Sequence, residues 1–164
     1  MENRIIHPLP PIYDNESRVL ILGTMPSPIS RAKSFYYANP QNRFWKAMSV
    51  VFDCEIGTSN DERIEFLLMH HIALWDVLHS CEITGASDES IKNPVANDIK
   101  PIVDNSKITE IFTTGNKAQQ LYSKLCAANV GIDATRLPST SPANCRYYSF
   151  EGIVKNYQII KQCI

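Results

Sequence analysis

The sequence predicts an α/β fold, a three-layer α/β/α sandwich on a central four-stranded, mostly parallel sheet, and three observations carry that prediction. Val19-Leu20-Ile21-Leu22-Gly23 is an apolar run ending on glycine, the pattern of a strand buried on both faces. Ile108 to Gly115 repeats the pattern with β-branched residues, and each run leads through a short loop into a segment with helical apolar spacing. Strands alternating with helices call for a sheet covered on both sides and joined by right-handed crossovers. With 164 residues, 44% of them hydrophobic, one core and one domain over residues 1–164 are expected.

The elements follow in order. Residues 1–17 hold Pro8, Pro10 and Pro11 and then Asp14-Asn15-Glu16-Ser17, so they are expected to run extended along the surface. Arg18 to Gly23 is the first strand. Phe44, Met48, Val51 and Phe52 form an apolar stripe on a helix starting near Asn42. A cap within Gly57–Asp61 opens a second helix, Glu62 to Met69, and His71 to Leu78 reads as the next strand. Polar residues follow to Pro94, after which Asn97 or Asp98 caps a helix burying Ile99, Ile102 and Val103. The strand Ile108–Gly115 feeds a helix from Asn116 with Ala118, Leu121, Tyr122 and Leu125 on one side. A short strand, Ala134–Leu137, precedes the Pro138–Asn144 loop and a last helix that buries Phe150, Ile153, Val154 and Tyr157.

Composition excludes several classes. The opening residues lack the apolar centre of a signal peptide and no apolar run reaches membrane-spanning length, so a soluble, cytoplasmic protein is expected. Five scattered cysteines without a Cys-x-x-Cys pair argue against a disulfide framework and a zinc site. The adjacent His70 and His71 would face opposite sides of a strand and not share a metal. No Gly-x-Gly-x-x-Gly or phosphate-loop motif is present. Net charge is −1, but residues 1–50 carry +3, residues 51–112 carry −8 and residues 113–164 carry +4. Basic ends that met in space would attract a polyanion; otherwise they are two solvated faces of unequal sign.

In open α/β sheets ligands bind at the carboxyl edge of the strands. The loop after the first strand presents Tyr36, Tyr37, Asn39 and Asn42, rings and carboxamides suited to a flat heteroaromatic ligand. Asp76 and Glu82 lie near the same edge as structural candidates.

Four blocks, Gly23-Thr24-Met25-Pro26-Ser27, Tyr36-Tyr37-Ala38-Asn39-Pro40-Gln41-Asn42-Arg43-Phe44-Trp45, Thr114-Gly115-Asn116-Lys117-Ala118 and Leu137-Pro138-Ser139-Thr140-Ser141-Pro142-Ala143-Asn144, together resemble the motif set of the uracil-DNA glycosylase superfamily. More narrowly they resemble its hypoxanthine-DNA (deoxyinosine) glycosylase branch. The resemblance implies a monofunctional enzyme of base excision repair that flips a deaminated base out of DNA and hydrolyses its N-glycosidic bond without metal or cofactor. The expected partner is DNA with a deaminated base, and the expected state a monomer without membrane attachment.

The same resemblance implies site residues. Mismatch-type relatives carry a water-activating asparagine where this chain has Met25, and in the hypoxanthine branch the role falls to the asparagine matching Asn42, with a contribution from that matching Asn116. A carboxamide oxygen can hold a water near the anomeric carbon while the sugar gains positive charge. Both asparagines have ordinary alternatives as helix caps. Tyr37 matches the ring on which the flipped base stacks, and Asn39, Thr24 and Met25 fall to the base pocket. Tyr36 and Phe35 read as core. Ser139, Thr140 and Ser141 form a stiff loop suited to phosphates, with Arg146 and also Arg31, Lys33 and Arg43 as cationic help. Rival readings are uracil or xanthine excision, a noncatalytic nucleic-acid-binding module, and a hydrolase of free nucleosides.

Overall fold

The computed structural model describes residues 4–164. Its elements run β1 (Arg4–Ile6), β2 (Val19–Gly23), α1 (Pro28–Lys33), α2 (Phe44–Val51), α3 (Asn60–Met69), β3 (Ile72–Asp76), β4 (Leu78–Glu82), β5 (Lys92–Ala96), α4 (Lys100–Asp104), β6 (Glu110–Thr114), α5 (Asn116–Leu125), α6 (Ala127–Val130), β7 (Ala134–Leu137) and α7 (Phe150–Gln162). The main sheet has the order β3-β2-β6-β7, and every pairing in it is parallel.

Alternation along β2 divides the core into two layers. Val19 and Ile21 face α2, α3 and α7 through Phe44, Met48, Phe66, Leu67, Ile153 and Tyr157. Leu20 and Leu22 face the other side, where Ile102, Ala118, Leu121, Tyr122 and Val130 cover the sheet. The three-layer sandwich is therefore observed, with its four-stranded sheet wholly parallel. Helix starts follow local chemistry. Ser59 and Glu62 form a reciprocal capping box at α3, while Ser27 and Ser149 cap α1 and α7 through their hydroxyls.

The chain departs from expectation where tertiary contacts override local pattern. Residues 4–17 do not simply run along the surface: β1 pairs antiparallel with β4, Leu9 and Ile12 are buried, and Ile12 exchanges both backbone bonds with Leu74 on the edge strand β3. Prolines keep this segment extended, which lets it cover a sheet edge. The part of that expectation falling on residues 1–3 lies outside the described residues. A second, three-stranded antiparallel sheet, β1-β4-β5, was not expected, because β5 is polar, contains Pro94 and pairs with register shifts. Asn97 is no cap. Its buried amide donates to the carbonyls of Asp76 and Leu78, at 2.9 and 3.0 Å, and α4 starts at Lys100 without a side-chain cap. His70 and His71 form the turn before β3, with His71 at φ +61°, and are not in a strand. Leu125 and Phe150, expected inside, are exposed at helix ends.

Among the described residues no helix is long and apolar enough to cross a membrane. The cysteines are all free thiols. Burial, aided by nearby Asp98, pushes the Cys126 thiol up to about 11, whereas Cys145 is exposed. Because the thiolate is the nucleophile, iodoacetamide at neutral pH should label Cys145 well before Cys126. Peptide mapping by mass spectrometry checks this, and equal labelling rates in the native protein would contradict it.

Candidate active site

The strand order makes the chain turn one way from β2 to β3 and the other way from β6 to β7, so the switch point lies between the carboxyl ends of β2 and β6. A cleft of about 150 Å³ opens there. Gly23, Thr24 and Met25 from the end of β2, Asp76 from β3 and Thr114 from β6 form its floor. Tyr37, Asn39 and Asn42 form one wall and Ser139, Thr140 and Ser141 another. Eight of the ten sequence-nominated site residues meet in this cleft, namely Thr24, Met25, Tyr37, Asn39, Asn42, Ser139, Thr140 and Ser141.

The tyrosine wall is built by α1 and α2. Ser30, fixed by the Ser27 cap, accepts the Ala38 amide at 3.1 Å, and this holds Tyr37 at φ +50°, a region aromatic residues rarely adopt. The Tyr37 ring stacks on Phe44 at 4.1 Å and 16°, so only its other face is left for a ligand. Its hydroxyl lies 3.3 Å from Thr114 Oγ1. Burial, and then the Asp76 charge, raise the Tyr37 phenol well above its ordinary value, which keeps it protonated. Tyr36 packs in the core, with its hydroxyl donating to the Pro10 carbonyl at 2.7 Å.

Asn42 lines the cleft but stands one residue ahead of the N-cap of α2, Arg43, which makes no side-chain cap bond. Asn42 Oδ1 accepts the Phe44 amide at 2.9 Å, which orients the carboxamide and leaves one acceptor site and both amide hydrogens available. Asn39 uses its Oδ1 on the Gln41 amide at 2.9 Å, closing the turn that presents Asn42. Arg43 braces the opposite wall. Its amide donates to the Thr140 carbonyl at 3.1 Å and its guanidinium to the Tyr148 carbonyl at 2.6 Å, which commits that cation to structure. Ser139 and Ser141 use their hydroxyls as acceptors within the loop. Thr140 is almost fully buried, and its hydroxyl has no hydrogen-bond partner among the described residues.

Asn116 and Arg146 are not brought to the cleft. Asn116 is exposed on the first turn of α5, and its Oδ1 accepts from Arg136 at 2.9 Å. Arg146 is exposed with its guanidinium 5.8 Å above the Tyr147 ring. Of the further cations named from the sequence, Arg31 donates to the Pro26 carbonyl at 2.6 Å. Glu82 accepts from Asn93 at 3.1 Å on the small sheet, away from the cleft wall.

The cleft holds one group that sequence reasoning did not assemble. Asp76 is 4% exposed, and its Oδ2 lies 2.7 Å from His7 Nε2. The Leu9 amide donates to His7 Nδ1 at 3.2 Å, so Nδ1 is an acceptor and Nε2 carries the proton that Asp76 receives. Asp76 Oδ1 has no hydrogen-bond partner among the described residues and faces Gly23 at the cleft floor. Gly23 is required here: a Cβ would overlap Asp76 Oδ1 and stand 3.1 Å from the Tyr37 hydroxyl. Thr114 was findable as the last residue before a glycine at a strand end. No sequence signal pairs His7 with Asp76, 69 positions away.

Fold and cleft together define an α/β protein with a switch-point site for a flat, hydrogen-bonding ligand. A family model of the Uracil DNA glycosylase superfamily matches residues 10–164, and the chain belongs to that superfamily. DNA is thus the substrate class and base excision by a glycosylase the reaction class. Two curated relatives are named hypoxanthine DNA glycosylase. The protein from Methanosarcina barkeri is 30% identical over 138 residues, covering 84% of this chain and 87% of its own length. The one from Methanosarcina acetivorans is 31% identical over 140 residues with the same coverage. A solution NMR structure of a Methanosarcina acetivorans protein, described as a candidate uracil DNA glycosylase, superposes with a TM-score of 0.79 at 26% identity, covering 94% of this chain and 98% of that one.

Proposed function

We propose that this protein is a monofunctional glycosylase that flips hypoxanthine out of DNA and hydrolyses its N-glycosidic bond. The observation that carries the proposal is the convergence of the Met25, Asn42 and Ser139–Ser141 loops on one cleft whose floor is the Asp76 carboxylate. The names of the two relatives support the same substrate.

The flipped base enters the cleft and stacks on the free face of Tyr37, a contact worth roughly 1–3 kcal/mol. Asn42, locked by its bond to the Phe44 amide, holds a water against the anomeric carbon. As the C–N bond breaks, the electron pair leaves with the base, the water oxygen bonds to the anomeric carbon, and the proton the water gives up ends on the departing base, leaving free hypoxanthine and an abasic sugar. Thr24 and Met25 bound the base, and Asn39 acts through the turn that carries Asn42. Ser139 and Ser141 contact the phosphate of the flipped nucleotide, while Thr140, almost fully buried, holds the shape of the loop.

Base reading falls to Asp76 and Thr114, which line the cleft, whereas Asn116 has its oxygen engaged by Arg136 outside it. Hypoxanthine carries a proton on N1, and Asp76 Oδ1 accepts it. Adenine offers a lone pair at that position, so a fixed acceptor rejects it.

The test is incubation with duplexes and single strands carrying one hypoxanthine, uracil, xanthine or adenine, with EDTA present, followed by alkaline cleavage at abasic sites. Breaks at hypoxanthine and none at adenine are expected. Breaks at uracil alone would reassign the substrate, and tight binding without breaks on any strand would make the protein a binding module.

A further inference from the structure

A second depression, of about 290 Å³, adjoins the cleft and shares Tyr37, Asn39 and Asn42 with it as a common ridge. Its far side is formed by Lys33 at the end of α1, Trp45 and Lys46 on α2, and Arg63 on α3. We propose that this groove is a track for the DNA backbone flanking the flipped nucleotide.

Charge separates the two hollows. The titratable acids lining the cleft are Asp76 and Asp88, and among the described residues no Lys or Arg lines it, a setting that suits a neutral base on its floor. Among the described residues the groove is lined by three cations and no carboxylate. Lys33 and Lys46 are exposed, and among the described residues neither ammonium is in an ion pair or hydrogen bond. Arg63 is half-buried, with its guanidinium 5.0 Å above the Trp45 ring, a packing that presets the charge at the groove wall. Its Nε is buried and has no hydrogen-bond partner among the described residues. Uncompensated cations held in a concave strip are the electrostatic footprint of a phosphate chain. A strand that leaves its base in the cleft must cross the Tyr37–Asn42 ridge on one side. There its next phosphates fall within reach of Lys33, Lys46 and Arg63, on the face opposite the Ser139–Ser141 loop.

This inference rests on DNA as the substrate but not on which base is removed. The test is fluorescence anisotropy of a labelled, undamaged duplex over a series of salt concentrations, comparing the full-length protein with Lys33→Gln/Lys46→Gln. Each lost phosphate contact lowers the slope of log K against log salt by about 0.9, so the double variant should lose about two units of slope. Lys124→Gln/Lys155→Gln changes net charge equally on exposed positions of α5 and α7 and should keep the wild-type slope. An unchanged slope in the groove variant, or equal losses in both variants, overturns the backbone track even where hypoxanthine excision is intact. A lowered slope in the groove variant alone upholds it even if no base is excised.

Discussion

Alanine in place of Asn42 should lower single-turnover excision of hypoxanthine by at least about a hundredfold, because misplacing a reacting water by an ångström costs that much. Binding to the damaged strand should persist, since Tyr37, Asp76 and the Ser139–Ser141 loop remain. The variant should also melt earlier. Loss of the acceptor for the Phe44 amide costs about 1 kcal/mol, roughly 2–4 °C for a chain of this size. These two effects can be separated by Asn42→Ser, whose hydroxyl can take the same amide proton. It should recover most of the stability and none of the turnover. A serine variant that recovers both would reduce Asn42 to a structural acceptor for the Phe44 amide.

The second large effect is a change of selectivity. His7 Nδ1 is held as an acceptor by the Leu9 amide, so Nε2–H must always find an acceptor in front of it. In Asp76→Asn the side-chain oxygen therefore turns to His7 and the amide nitrogen turns to the cleft. The floor then presents a donor where it presented an acceptor. Hypoxanthine loses its N1–H bond and meets a like group, a cost of about 1–3 kcal/mol, or roughly 5- to 150-fold in rate. Adenine, with its lone pair at N1, is no longer rejected. The ratio of hypoxanthine to adenine excision should fall by more than either rate changes alone, and an unchanged ratio would remove Asp76 from base reading. The substitution is nearly isosteric, so the fold should survive it. His7→Leu, by contrast, leaves the buried carboxylate without its hydrogen-bond donor and should cost about 1–3 kcal/mol of stability.

Local pattern made much of this legible. β2, α2, α3, α5, β7 and α7 follow from apolar spacing and from Ser and Gly at their boundaries; the carboxyl-edge rule directed attention to the Gly23–Ser27 and Tyr37–Asn42 loops, and the family resemblance nominated the Ser139–Ser141 loop. What failed depended on distant partners. β1, β4 and β5 are short, β4 and β5 carry several polar residues, and only mutual pairing makes them strands. Asn97 looks like a cap until it is seen pinning Asp76 and Leu78 through their carbonyls. Asn116 follows a strand end as an active-site residue might, but the first turn of α5 carries it to Arg136 instead.

By itself the sequence determined an α/β sandwich on a mostly parallel sheet and the loops that follow its first strand, because hydrophobic period and turn chemistry are local properties of the chain. Only the tertiary structure decided which polar groups share the cleft. The His7–Asp76 bond, the missing Cβ at Gly23 that leaves room for it, and the separation of a carboxylate floor from a cationic groove depend on residues far apart in the chain. Burial then gives those contacts their strength, since a hydrogen bond or charge removed from water acts at far lower dielectric than any local pattern records.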